Sequence, residues 1–243
     1  MRSLVGIALA VLSLSAQARV SARELNGRVI DQTGAGVADA AIVASNAGFY
    51  GWASTGPDGS FHLKAAGGFI SFRKAGLKAR LLRTSELTEP ALISLEPADA
   101  SVRRMPACSS MSAAEKHWIG GGLKVNPGRS RFKGPVHGEH DSHWYVRLGK
   151  DTLHIVDGYA WHAGLPLEEQ LASSESISVR SWEFNNVVGL DLSGRSKDGM
   201  LWRWLGAPVA YAVEYRDATQ SSAHDFDRII ETACLALTTT TTK

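Results

Sequence analysis

Short segments in which apolar and polar residues alternate fill much of the first hundred residues. Phe61 and Leu63 are separated by polar side chains, which is the period of a strand with one buried face. Residues 55–59 before them are typical of a tight turn, because proline presets φ and glycine accepts a positive φ. Comparable segments recur roughly every 8–12 residues between residues 24 and 97, which predicts an all-β sandwich.

Three groups of residues in this region resemble the signature of one family. They are residues 27–29 with Asp31, Gly34, Val37 and Ala40; Thr55 with residues 58–61; and residues 68–70 with Gly76. In this order they resemble the carboxypeptidase regulatory-like domain. Gly36 and Asp39 depart from its first turn, where the family usually has proline and glycine. The resemblance covers residues 24–97 and implies a seven-stranded sandwich of prealbumin (transthyretin) type.

The resemblance implies no catalytic residue in residues 24–97. In metallocarboxypeptidases this domain is an appendage to a separate catalytic domain. The sequence contains neither an HxxE nor an HExxH zinc motif. We therefore expect no carboxypeptidase activity and assign no catalytic residue.

A different pattern begins after residues 98–106, whose polar, proline-bounded composition predicts a linker. Strand-like segments follow, and from Ser222, the predicted helix cap, apolar residues recur at helical spacing. We predict an α+β domain over residues 107–237, an antiparallel sheet packed by a C-terminal helix, and a tail at 238–243. The chain as a whole is expected to be mainly β.

The N-terminus has the features of a secretory signal peptide. Arg2 precedes an apolar run at residues 4–14, which is too short to span a bilayer comfortably. Small residues then provide cleavage positions after Ala18 or Ala22. We predict a signal peptide over residues 1–18, a secreted or periplasmic protein, and no stable membrane insertion. The formal net charge of +2 gives no indication of a nucleic-acid partner.

Export bears on the two cysteines, Cys108 and Cys234. An oxidising compartment permits a disulfide, and two cysteines allow one intramolecular pairing. We predict the bond between Cys108 and Cys234, with two separate buried thiols as the alternative.

Histidines and carboxylates are densest in residues 137–143. The candidate metal ligands are His137, His140 and His143, with His154 or His162 to complete a site. Imidazoles at short spacing suit a divalent metal, but the spacing matches no zinc motif and the flanking glycines favour a solvated loop. A metal-dependent enzyme built on this loop is an alternative, and no metal or cofactor is predicted.

Trp202 and Trp204 lie on one face of a predicted strand, with Tyr211 and Tyr215 close in sequence. If exposed, the indoles would form a platform for a glycan or a peptide. Aromatic residues at strand spacing beside an apolar helix favour burial against that helix instead.

These patterns together predict an exported, non-catalytic binding or structural protein with a carboxypeptidase regulatory-like domain. Its partner is expected to be a protein or a glycan. The alternatives are the metal-dependent enzyme at His137, His140 and His143, and a glycan-binding module at Trp202 and Trp204.

Overall fold

The computed structural model of the chain describes residues 22–46, 49–65, 68–110, 118–138, 141–158, 170–207 and 211–236. The predicted signal peptide, residues 1–18, and the tail, residues 238–243, lie outside these ranges, as do His140 and His162. The prediction of a mainly β protein is confirmed. In the described part of the chain, no helix has the length and apolar character needed to cross a membrane.

Residues 23–97, here called the first unit, contain seven strands in their described part. The strands are β1 Arg23–Ile30, β2 Ala41–Asn46, β3 Phe49–Ser54, β4 Ser60–Ala65, β5 Phe69–Arg73, β6 Arg80–Arg83 and β7 Ala91–Ser94. One sheet has the order β4-β1-β7, with β1 antiparallel to β4 and parallel to β7. The other is antiparallel and has the order β3-β2-β5-β6.

Side chains from both sheets fill a shared core in the first unit. Phe61 and Leu63 are buried and their polar neighbours on β4 are exposed, as the alternation predicted. Gly59 has a φ of +83°, and a Cβ there would lie 2.2 Å from the carbonyl oxygen of Val29. The turn before β4 therefore requires glycine, both for its conformation and for its close approach to β1. The largest fully buried members of this core are Leu25, Ile42, Ile70, Phe72 and Leu95.

Residues 103–235, here called the second unit, hold the remaining described strands. They are β8 Arg103–Arg104, β9 Ile119–Gly120, β10 Leu123–Val125, β11 Phe132–His137, β12 Asp141–Leu148, β13 Asp151–Gly158, β14 Ser174–Phe184, β15 Val187–Ser196, β16 Leu201–Ala207, β17 Tyr211–Ala218 and β18 Cys234–Leu235. The helix α1 covers Gln220–Glu231.

In the described residues of the second unit, eight strands form one sheet with the order β11-β12-β13-β17-β16-β15-β14-β8. Its strands pair antiparallel, apart from β8, which runs parallel to β14. A separate small sheet has the order β18-β10-β9. The large sheet, the small sheet and α1 enclose one core, in which Trp182, Leu153, Ile155 and Phe226 are fully buried.

Residues 98–106, for which the polar composition predicted a linker, pack against both units. Val102 and Met105 are buried, and the Met105 N–H donates to the Glu183 carbonyl at 2.8 Å. The polar character of the segment reflects ion pairs, since Arg103 pairs with Glu231 and Arg104 with Glu183. Composition alone does not show that an exposed arginine such as Arg104 pairs with a buried carboxylate such as Glu183.

The N-cap of helix α1 lies three residues before the predicted cap, Ser222. Thr219 is the N-cap, and its hydroxyl accepts from the Ser222 N–H at 3.4 Å, so Ser222 lies inside the helix. Phe226 and Ile230 are buried on the predicted apolar face. Continuing the helical spacing beyond Ile230 would place Cys234 on the same face, but the helix ends at Glu231, and Cys234 lies in β18.

A buried arginine fixes α1 to the large sheet. Arg203 on β16 donates from Nε and an Nη to the two oxygens of Asp191, both at 2.8 Å. It also donates to Asp227 at 3.1 Å and to Glu231 at 2.6 Å, both of which lie on α1. Burial opposes its charge, but the bonds to these carboxylates raise the pKa of Arg203 above its ordinary value. The guanidinium therefore stays charged and holds helix and sheet together.

The first unit covers the face of the large sheet opposite α1. Phe69 and Leu81 pack with the apolar side chains of β15 and β16. Polar contacts surround this junction: the Gly76 N–H donates to Glu183 Oε1 at 2.7 Å, and the Ala79 N–H donates to Ser181 Oγ at 2.8 Å. The two units are therefore in direct contact through both apolar and hydrogen-bonded groups.

The predicted disulfide between Cys108 and Cys234 is present. It joins the short 3₁₀ turn Cys108–Ser110 to β18, across 126 positions of sequence. The covalent bond and the β18–β10 pairing together hold the end of the second unit near its beginning.

We expect the variant carrying both Cys108→Ser and Cys234→Ser to lose about 4–5 kcal/mol of unfolding free energy, because a loop of this length restricts the unfolded chain strongly. Urea denaturation at neutral pH measures the loss. The wild-type protein unfolded with excess reductant is the matched control and should behave like the double variant. An unchanged urea midpoint would contradict this expectation.

Asp151 at the start of β13 anchors the N-terminus of α1. Its Oδ2 accepts from the Thr219 N–H at 3.1 Å and from the Thr219 hydroxyl at 3.0 Å. Hydrogen bonds from Ser222 and Thr219 lower the pKa of Asp151. Since the folded pKa lies below the unfolded one, this stabilisation is present above about pH 4 and is lost as pH falls through the folded value.

Asp151→Asn should therefore destabilise the protein by about 1–3 kcal/mol at pH 7, the range for a hydrogen bond to a charged group. The difference from wild type should shrink as the pH is lowered below about 4. Urea denaturation at pH 7, 5 and 3 provides the comparison. Asp225→Asn, an exposed position on the same helix, is the control and should change stability little at any of these pH values.

Candidate binding groove

Polar rings occupy the part of the large sheet that continues beyond the first unit. Tyr145, His154, Glu214 and Trp204 are cross-strand neighbours on β12, β13, β17 and β16. Cross-strand neighbours share one face of a sheet, and Trp204 packs against the first unit. The row therefore starts at Trp204, where the first unit covers this face of the sheet, and continues to the polar side chains of Glu214, His154 and Tyr145.

Three rings in this region are stacked. The ring centroids of Tyr145 and His154 are 4.8 Å apart, and those of His143 and His154 are 5.1 Å apart. The planes of these pairs differ by 3° and 10°. Such parallel packing restricts the rotamers of all three rings and so orients the histidine nitrogens.

A chain of hydrogen bonds runs through the two histidines. Asp141 Oδ1 lies 2.9 Å from His143 Nε2, and His143 Nδ1 lies 2.9 Å from His154 Nε2. His154 Nδ1 lies 3.3 Å from Glu214 Oε1, which also accepts from Arg216 at 2.7 Å. The side chains of Asp141 and Glu214 are only 8% and 5% exposed, so these contacts are shielded from water.

The contacts run in the order Asp141, His143, His154 and Glu214. The two imidazole rings therefore lie between two carboxylates, each of which can accept an N–H from the ring nitrogen that faces it.

A groove of about 530 Å³ opens beside these rings. Its lining includes Tyr145, His154, Glu214, Arg216 and Asp217. Lys150 lies there as well, so groups of both charges face the same space. The arrangement can pair with a ligand that carries both donors and acceptors. The side chains of Tyr145, His154, Glu214 and Arg216 are held in place by stacking and hydrogen bonds before the ligand arrives.

The histidines of the metal hypothesis do not act as one group. His137 at the end of β11 contacts the Ser142 hydroxyl at 2.9 Å, whereas both ring nitrogens of His143 are engaged by Asp141 and His154. Within the described ranges, which leave out His140, no set of three or more His, Cys, Asp or Glu side chains is arranged to hold a metal. Binding a metal at His143 would require breaking one of its hydrogen bonds.

The two tryptophans of the glycan hypothesis are buried. Trp202 is 2% exposed and Trp204 5%, and both pack in the cluster that includes Phe69 of the first unit. They lie on the face opposite α1, so the expected packing against the helix is wrong although the expected burial is right. The exposed indole platform that a glycan would require is therefore missing at these residues.

Sequence reasoning missed most of the groove. It singled out His143 and His154, but Tyr145, Glu214 and Arg216 carried no motif. The one available signal was alternation, which places His143 and Tyr145 on the same face of their strand. The register of β12 on β13 and of β13 on β17 brings the other side chains to them, and register over about sixty residues of chain is not encoded locally.

Comparison with known protein families, with curated proteins and with solved structures finds no match to this chain.

Glu214→Gln should destabilise the protein by about 1–3 kcal/mol at pH 7, because the buried carboxylate accepts a hydrogen bond from Arg216 and contacts His154. Urea denaturation measures the loss. Glu175→Gln, at an exposed position on β14, is the control and should change stability little. Equal urea midpoints for Glu214→Gln and wild type would contradict the arrangement.

Proposed function

We propose that the protein is an exported, non-catalytic binding protein whose groove at Tyr145, His154, Glu214 and Arg216 holds a mixed-charge segment of a protein partner. The first unit is proposed to be a carboxypeptidase regulatory-like domain of prealbumin type that supports the binding sheet. The observation that carries the proposal is the groove itself, where ordered groups of both charges line a space of about 530 Å³.

The composition of the groove favours a protein segment over a neutral glycan. Lys150 and Arg216 can pair with carboxylates of a partner, while Asp217 can pair with its basic side chains. A neutral glycan commonly uses exposed aromatic faces, and Trp202 and Trp204 are buried. The rings of Tyr145 and His154 stack on one another, so the two faces in that contact are not open to a sugar ring.

A binding role agrees with how the charged groups are already paired. Glu214 is held by His154 and Arg216, and Asp141 is held by His143. A general base needs a lone pair directed at a substrate proton, and here the carboxylates are directed at neighbouring side chains. Networks of this kind fix the shape of a surface, which suits recognition.

The assignment of the first unit is supported by its strands and its turn. In the described residues, seven strands lie in sheets of three and four around one core. Gly59, with a positive φ, lies in the turn at residues 55–61, the segment that resembles the central signature of the family. Its supporting role is inferred from the contacts of Phe69, Gly76 and Ala79 with the second unit. Export is inferred from the N-terminal pattern, and a disulfide is the bond that an oxidising compartment permits.

Binding can be tested with synthetic peptides that alternate lysine and glutamate, against neutral oligosaccharides of similar size. We expect the peptides to perturb the NMR resonances of Tyr145, His154 and Arg216. Arg216→Gln should weaken peptide affinity by about tenfold or more, the range for a lost charge-assisted hydrogen bond. Isothermal titration calorimetry gives the affinities.

Arg147→Gln is the matched control, because Arg147 is an exposed arginine on β12 outside the groove lining. It should bind the peptides like wild type. Perturbations confined to another surface, or caused by the oligosaccharides alone, would overturn the proposal.

A further inference from the structure

A second cavity lies at the junction of the two units, away from the groove. Its volume is about 400 Å³. It is lined by the end of β5 and the residues after it, by the start of β2 and Asp39 before it, and by the β14–β15 turn with the start of β15. The polar lining consists of Arg73, Lys74, Asn186 and Asp39. The cavity therefore brings basic and amide side chains from both units to one place.

Arg73 is buried beside this cavity, and among the described residues it has no counter-ion. It is 6% exposed, and one of its Nη atoms donates to the Val188 carbonyl at 3.1 Å. Its Nε has no acceptor in the described structure, and no described carboxylate forms an ion pair with it. Burial lowers the pKa of Arg73 to about 10, which still leaves the guanidinium charged at neutral pH. A charged group in this position is costly until an anion reaches it.

A second deeply buried arginine, Arg203, shows how this protein satisfies such a charge. Arg203 is 4% exposed and is surrounded by the carboxylates of Asp191, Asp227 and Glu231. Arg73 has comparable burial, but within the described ranges its one hydrogen-bond acceptor is the Val188 carbonyl. The difference is not compensated by Asp39, whose exposed carboxylate lies 3.9 Å from Lys74 Nζ.

We propose that the cavity binds a small molecule bearing an oxyanion, a carboxylate or a phosphate, with Arg73 as its principal anchor. A guanidinium presents parallel N–H donors that match both kinds of oxyanion. Lys74 supplies a second positive charge, and Asn186 of the second unit supplies a neutral donor and acceptor. The ligand would lie between the units, so its binding would stabilise their junction.

The test uses the purified mature chain with sodium phosphate and sodium succinate as probes, against sodium chloride at equal ionic strength. We expect at least one oxyanion to bind with a stoichiometry near one by calorimetry. At about ten times its dissociation constant it should raise the melting temperature by roughly 3–6 °C. Saturation by succinate alone identifies a carboxylate ligand, and saturation by phosphate alone identifies a phosphate ligand.

Substitutions locate the binding. Arg73→Met should lower the affinity for the oxyanion by about tenfold or more, while Arg129→Met, at an exposed arginine, should leave this affinity unchanged. Since Arg73→Met also removes the bond to Val188, Lys74→Glu serves as a second variant at a half-buried position, and it too should weaken binding. The proposal is overturned if neither oxyanion exceeds chloride, or if Lys74→Glu binds like wild type.

Discussion

The structure depends on the need of one sheet to bury both of its faces. In its described residues the eight-stranded sheet carries large side chains in the cores on both of its faces. Tyr215 packs against Phe226 of α1 on one face, and Trp204 packs against the first unit on the opposite face. Antiparallel sheets often leave one face in water, but here consecutive residues of β15, β16 and β17 are buried, so these central strands are covered on both faces. Helix α1 with the small sheet covers one side, and the first unit covers the other. Both coverings follow from the same apolar requirement.

This requirement explains why the first unit is tightly attached. Its sheet β3-β2-β5-β6 faces its own core through Ile42, Ile70 and Phe72, and it faces the second unit through Phe69 and Leu81. A sheet used on both sides cannot separate from either neighbour without exposing apolar surface. The hydrogen bonds from the first unit to Ser181 and Glu183 then fix the orientation of the contact. A different orientation of the first unit would leave these buried side chains without their hydrogen-bond donors.

Local patterns predicted the elements better than their associations. The strand at Phe61 and Leu63, the apolar face at Phe226 and Ile230, and the cysteine pairing could be anticipated from spacing, turn residues and composition. The packing of Trp202 and Trp204 could not, because a strand buried on both faces gives no sign of which neighbour covers which side. The groove was harder still to predict, because Glu214 and His154 lie about sixty residues apart in sequence and become neighbours only through the register of β13 and β17.

The bond between Cys108 and Cys234 also affects how two copies of this chain can interact. It turns residues 108–234 into a closed covalent ring that contains most of the large sheet and α1. Exchange of a terminal element between copies requires that element to swing away on a free hinge. With its end fastened to the start of the same unit, α1 cannot be donated to a neighbour while the ring is closed. The oxidised protein is thereby protected from domain swapping through its own C-terminal helix.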